Sequence, residues 1–250
     1  MAKIRLDKFI SDRTPVSRSE VRVLIKKGTV RINGTVMKDI GFQLDPETAD
    51  VTVNGEAVIH RSRTVLALNK PAGYVCSTDG KGGPSVLELV PPDFYNKNLF
   101  PVGRLDKDTE GLLLITDDGK FAHSVISPKR HVPKIYLVKL AEKFEVKYVN
   151  QMSGGIVLGN GDRCLPARVR VVENLENTVL IEICEGKYHQ VKRMFAAADN
   201  RVEKLMRISV GGLILSEKLA KGQVMELLHN DVEKIFSPLD LEQVSVNRFV

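Results

Sequence analysis

Four aspartates, Asp106, Asp108, Asp117 and Asp118, crowd the stretch 103–119, GRLDKDTEGLLLITDDG. Between the two pairs runs the apolar segment Leu112–Ile115, bracketed by the turn signals Glu110-Gly111 and Asp117-Asp118-Gly119. Four apolar residues between turns read as a short buried strand. A charged loop anchored at the edge of a core can hold a carboxylate rigidly in a cleft. Such a carboxylate can attack carbon as a nucleophile or take a proton. A close pair, Asp106 with Asp108, would also suit a glycosidase-like hydrolase. The plain alternative is a polar loop capping a strand. Asp117 and Asp118 fit a turn and Asp108 could be a local cap, so residue types and spacing leave all four open.

The elements around this stretch are readable from their periodicity. Val65–Leu68 and Lys134–Val138 read as strands, as do 164–172 and 178–184. Phe121–Ser127 looks helical, and 141–160 reads as a helix-like segment and a glycine-rich turn, Gly154-Gly155. After Glu185-Gly186-Lys187-Tyr188-His189-Gln190, the residues Val191, Met194, Phe195 and Ala198 recur at helical spacing and should face a core. Lys192 falls on a different face of that helix. His189 reads as a structural hydrogen-bonding residue rather than a base. Thr78–Pro84, TDGKGGP, is glycine-rich but lacks the GK[ST] ending of a phosphate cradle, so a plain mobile loop is expected.

Composition narrows the class. The chain of 250 residues is 43% hydrophobic and 27% charged, as in ordinary soluble globular proteins. No apolar run approaches the ~20 residues a membrane span needs, and MAKIRLDKF has no secretory h-region. The cysteines, Cys76, Cys164 and Cys184, form no CxxC pair, which fits a reducing cytoplasm and argues against a disulfide framework or a zinc site. No metal and no membrane association are expected.

Charge is uneven. Of a net +6, residues 1–38 carry +7 and the remainder −1, which suggests a basic module on a neutral body and a polyanionic partner. In that module Ser17 and Glu20 form a capping box, Val21, Leu24 and Ile25 make an apolar stripe, and Gly28 supplies the stop. Arg18, Arg22 and Lys26 recur every four residues as a cationic ridge continued by Lys27, and Asn33-Gly34 signals a hairpin.

These words carry a resemblance. GRLD followed by T-x-GLLLxTxDG resembles the signature of the RNA pseudouridine synthases, nearest to the branch acting on small-subunit ribosomal RNA. RLDKFI with SRSEVRVLIKKGTVRING resembles an S4 RNA-binding domain, and Asn69-Lys70-Pro71-Ala72-Gly73 is similar to the turn that opens the catalytic domain. The resemblance implies an α+β protein: a small S4 (αL-like) domain, then a mixed, largely antiparallel β-sheet flanked by helices. Expected boundaries are 1–60 for the S4 domain, 61–64 for a linker, 65–242 for the catalytic domain and 243–250 for a frayed tail.

The resemblance also assigns roles. Asp106, the aspartate of GRLD, becomes the catalytic carboxylate, Tyr136 of K-x-Y-x-V the residue over the target base, and Lys192 the cation that keeps Asp106 ionised in a dry cleft. Arg104 is a candidate wedge for an extruded base, with Arg193 and the ridge residues Arg18, Arg22, Lys26 and Lys27 as RNA contacts. Gly222-Gln223-Val224-Met225 departs from the glycine-aromatic-arginine ending of close relatives. The reaction implied, uridine to pseudouridine, needs no cofactor. The expected partner is 16S rRNA or a small-subunit assembly intermediate, met by a cytoplasmic monomer. A large-subunit (23S) rRNA synthase and a non-catalytic rRNA-binding assembly factor are the alternatives.

Overall fold

The computed structural model describes residues 3–78, 80–247 and 249. It divides into two compact units, one taking the chain up to Thr64 together with Val90–Leu99, the other Val65–Leu89 and Phe100 onward. The smaller unit runs β1 (Ile4–Arg5), α1 (Leu6–Arg13), α2 (Arg18–Lys27), β2 (Val30–Ile32), β3 (Thr35–Val36), β4 (Gln43–Leu44), β5 (Val51–Val53) and β6 (Glu56–Ala57). The capping box forms as its residue types dictate: Glu20 N donates to Ser17 Oγ, and Ser17 N donates to Glu20 Oε2 at 2.9 Å. Gly28 ends α2 at φ +78, where a left-handed residue can satisfy the last carbonyls. Asn33 and Gly34, both at positive φ, turn β2 into β3. Val21 and Ile25 of α2 close over Leu6, Phe9 and Ile10 of α1 and over Val30 and Val51 of the small sheet.

Those two helices also bury a carboxylate. Asp7 is fully inaccessible and is gripped by Arg5, Arg18 and Arg22 at 3.0–3.2 Å. The three guanidinium groups outweigh burial and hold its carboxyl far below the usual carboxylate range. Two ridge residues are thus tied down at one end, while Lys26 and Lys27 stand exposed.

Val90–Leu99 corrects the expectation of one unbroken domain from 65 to 242. This segment returns to the smaller unit, where Lys97 pairs with Asp12. Arg61 there donates to Asp93 O at 2.8 Å and lies over the Phe94 ring. The expected linker 61–64 therefore carries packed residues, and Thr64 is buried.

The larger unit contains β7 (Val65–Lys70), β8 (Phe100–Pro101), β9 (Glu110–Thr116), α3 (Gly119–Ile126), β10 (Lys134–Leu140), α4 (Lys147–Ser153), β11 (Arg168–Val171), β12 (Thr178–Ile183), α5 (Gln190–Ala197), β13 (Val202–Val210), β14 (Leu213–Ile214), β15 (Val224–Glu226) and α6 (His229–Lys234). The sheet order is β11-β12-β10-β13-β9-β7-β15, with β8 on β9 and β14 on β13. Every pairing is antiparallel except β9 with β13, so the sheet is mixed and largely antiparallel, and the fold class is α+β.

Gly111 permits that parallel join. Instead of ending a turn it lies inside β9 at φ +99, and a Cβ there would sit 2.2 Å from Arg207 O. Only glycine tolerates both the dihedral and the approach. The helices then cover the sheet: Phe121, Ala122 and Val125 of α3 and Val232 of α6 pack on Val65, Ala67, Leu112 and Leu114. Val191, Met194, Phe195 and Ala198 are all buried, and Phe195 meets Tyr148 of α4 edge-on. The chain's end corrects a second expectation. Val244 and Val246 bury against Ile135, Leu137 and Leu180, and Arg170 donates to Val244 O, so this part is anchored rather than frayed. Arg248 and Val250 of the expected tail lie outside the described residues.

Candidate active site

Asp106 lies on the loop between β8 and β9, and the loop is held from beneath. Lys70, the last residue of β7, is fully buried and donates to the carbonyls of Pro71, Asp106, Lys107 and Thr109 at 2.8–3.3 Å. A buried ammonium without such partners would be costly; here it ties the loop's backbone to the sheet. Burial pushes its pKa down. Gly73 N donates to Lys107 O at 2.7 Å, and Leu105 N donates to Cys76 Sγ. Lys107 reaches Gly82 O at 2.9 Å, so the glycine-rich loop expected to be mobile is fastened here, its Asp79 lying outside the described residues.

The loop's side chains meet α5. His189, at φ +48 just before the helix, places Nε2 3.3 Å from Asp106 Oδ1. Lys192 places Nζ 3.5 Å from Asp106 Oδ2 and 2.6 Å from Asp108 Oδ1. Lys192 therefore bridges two carboxylates, and the shorter contact is to Asp108. Its hydrogen bond, with His189 contributing, holds the Asp108 carboxyl below the usual carboxylate range. Asp106, about a quarter exposed, faces a cleft of about 450 Å³. Asp117 and Asp118 do not line it; Asp118 caps α3, accepting from Lys120 N and Phe121 N.

The cleft floor comes from β10 and β13. Their register jumps from Ser209 opposite Ile135 to Arg207 opposite Tyr136, and this bulge sets Tyr136 and Arg207 side by side. Tyr136 is 8% exposed and lines the cleft with Arg104, Asp106, Tyr188, His189 and Arg207. Arg207 is buried and donates from Nε to Leu112 O at 2.8 Å. Lys134, two residues before Tyr136, donates to Val132 O at 2.6 Å, and burial beside Arg207 pushes its ammonium down to about 8. Glu185 and Gln190 brace the approach to α5: Gln190 Nε2 donates to Glu185 Oε1 at 2.7 Å, and Lys187 N donates to Gln190 Oε1.

Arg104, Asp106 and Tyr136 thus line one cleft, and Lys192 meets it through Asp106. Arg193 does not join them; its guanidinium is bound to Asn160 Oδ1 and Tyr188 O. Arg18, Arg22, Lys26 and Lys27 belong to the smaller unit. Lys70 and Arg207 had no place among the candidate site residues, Asp108 stood only as a possible carboxylate or local cap, and His189, expected to be a structural hydrogen-bonding residue, lies against Asp106. Signals existed for Lys70 and Arg207, which stand in the words NKPAG and LMR. Nothing local marks His189 as a neighbour of Asp106.

A carboxylate held between two basic side chains, with a tyrosine and arginines in the same open cleft, is an arrangement that nucleophilic or acid–base chemistry can use. The family model described as RNA pseudouridylate synthase matches residues 64–197, and that of the S4 domain matches residues 4–49. The chain belongs to the RNA pseudouridylate synthase family. An uncharacterized RNA pseudouridine synthase of Bacillus subtilis is 40% identical, the match covering 94% of this chain and 99% of the relative. The ribosomal small subunit pseudouridine synthase A of Vibrio cholerae is 42% identical over 93% of this chain and 100% of its own length. A crystal structure of a pseudouridylate synthase superposes with a TM-score of 0.65 at 36% identity, covering 93% of this chain and 99% of that one.

Proposed function

We propose that this enzyme converts a uridine of small-subunit (16S) ribosomal RNA to pseudouridine, with Asp106 as the catalytic carboxylate. The observation that carries the reading is the Asp106 carboxylate itself: partly exposed in the cleft that holds Tyr136, with His189 on one oxygen and Lys192 on the other. The C1′–N1 bond breaks, the base turns and C1′–C5 forms; C5 gives up its hydrogen as a proton and N1 gains one. Atoms and electrons balance within the nucleotide, so no cofactor is called for. Asp106 serves either by attack at C1′ or by taking the C2′ proton, and both roles need a carboxylate kept ionised by nearby cations. Tyr136 lies under the base and helps move the C5 proton, while Arg104 fills the space an extruded base leaves.

The S4 unit contributes grip. Arg18, Arg22, Lys26 and Lys27 hold phosphates and set the position of the RNA without reading its sequence. Residues up to Thr64 together with Val90–Leu99 make up that module, and the catalytic groups lie in the larger unit. The enzyme works in the cytoplasm as a monomer on 16S rRNA or an assembly particle that contains it. The relatives named for the small ribosomal subunit support this choice of substrate over 23S rRNA. The test treats purified 16S and 23S rRNA with the enzyme and maps pseudouridine by carbodiimide-dependent reverse-transcription stops. A new stop in 16S rRNA is expected; stops confined to 23S rRNA would overturn the substrate.

A further inference from the structure

Tyr188 is about 70% exposed among the residues that line the cleft, yet one face of its ring and its backbone carbonyl are held. One face of its ring lies flat on His189, with centroids 3.8 Å apart and planes 17° from parallel. His189 in turn rests on Asp106 Oδ1 at 3.3 Å. Tyr188 O accepts from Arg193 Nη1 at 3.2 Å, and Asn160 holds the other end of that guanidinium. On the chain's near side, Lys187 N donates to Gln190 and Lys187 Nζ donates to Arg163 O at 2.6 Å. A large aromatic ring left this open loses the benefit of burial. A ring pinned by one face keeps its other face flat, available and already ordered.

We infer that Tyr188 is a stacking platform for a nucleobase flanking the target uridine, a second base subsite one ring away from Asp106. The inference rests on the RNA pseudouridine reading. Tyr136 cannot serve this purpose, because at 8% exposure it lies at the cleft floor, where only the extruded base reaches. Tyr188 stands at the rim, where the strand enters and leaves. Stacking on an open aromatic face tolerates any base, since every base has a π-face, so this subsite adds affinity rather than sequence choice. Its ordering by His189 and Arg193 lowers the entropy cost of capture.

The chain contains no tryptophan, so Tyr188→Trp gives the full-length enzyme one indole, at the platform, which can be excited apart from the tyrosines. Adding 16S rRNA transcript should quench that emission as a base stacks on the indole. In parallel, Tyr188→Ala should raise KM for C5-tritiated 16S transcript by roughly tenfold or more, with a much smaller change in kcat, and Tyr188→Phe should recover most of that loss. An unquenched tryptophan at saturating RNA, or an unaltered KM in Tyr188→Ala, would overturn the platform. If the unmutated enzyme releases no tritium, the functional reading fails instead, and the quenching experiment still decides the platform.

Discussion

Lys192 touches two carboxylates at unequal distances, 2.6 Å to Asp108 and 3.5 Å to Asp106, and the difference orders their roles. Asp108, largely exposed, makes the shorter contact and stations the ammonium; in the proposed mechanism Asp106, facing the cleft, is the carboxylate that Lys192 keeps ionised. Lys192→Met should therefore cut kcat by roughly 10²-fold, whereas Asp108→Asn should cost much less. Steady-state kinetics on the two variants checks this; equal losses would make Asp108 a reacting group. A second residue prediction concerns stability. Folded Lys134 gives up its proton near pH 8, against an ordinary 10.5. Between these values the unfolded chain binds more protons, so the destabilisation from burying this charge is present below about pH 8 and fades as pH rises to 10.5. Lys134→Met should be more heat-stable than the parent at pH 7, with the gap closing by pH 10; a constant gap would rule this out. The anchored loop that carries Asp106 was legible, because its charged residues run directly into the apolar segment Leu112–Ile115. The preference of Lys192 for Asp108 was not, since helical spacing gives a face and no distance.

At the scale of elements, the join between β9 and β13 positions everything else. The glycine at 111 lets Arg207 come close enough to bond Leu112 O, and that pairing lays the cleft floor beside the Asp106 loop. Gly111→Ala meets both a positive φ and a backbone oxygen at 2.2 Å, and should destabilise by at least about 4 kcal/mol. Denaturant melts would show it, and a near-normal midpoint would refute the role. Sequence marked Glu110-Gly111 as a turn because glycine usually punctuates; the close approach of a distant strand is not written locally. The stripe Val191, Met194, Phe195 and Ala198 was legible, since amphipathic period follows directly from which face is buried. The return of Val90–Leu99 to the smaller unit and the anchoring of Val244 and Val246 were not, because each depends on partners remote in the chain.

Across the whole molecule, positive charge is concentrated in the first 38 residues, and RNA affinity should fall with salt accordingly. Arg18 and Arg22 also hold Asp7, so replacing them would disturb the fold; Lys26 and Lys27 carry no such duty. Lys26→Ala with Lys27→Ala should weaken RNA binding and make the log–log salt slope shallower, by roughly one unit for each phosphate no longer neutralised. Thermal stability should stay near the parent's. Filter binding across a salt series reads this directly, and an unchanged slope would remove those lysines from the interface. That an S4-like module opens the chain was legible from the motif wording and from the basic charge of residues 1–38 together. Whether Asp106 drives the proposed uridine-to-pseudouridine exchange is read from tritium release by 16S rRNA labelled at uridine C5. Pseudouridine formation must expel that hydrogen, whereas binding alone or glycosidic hydrolysis need not. The parent enzyme should release tritium and Asp106→Asn none, although the variant still binds RNA; release undiminished in Asp106→Asn would contradict the assignment.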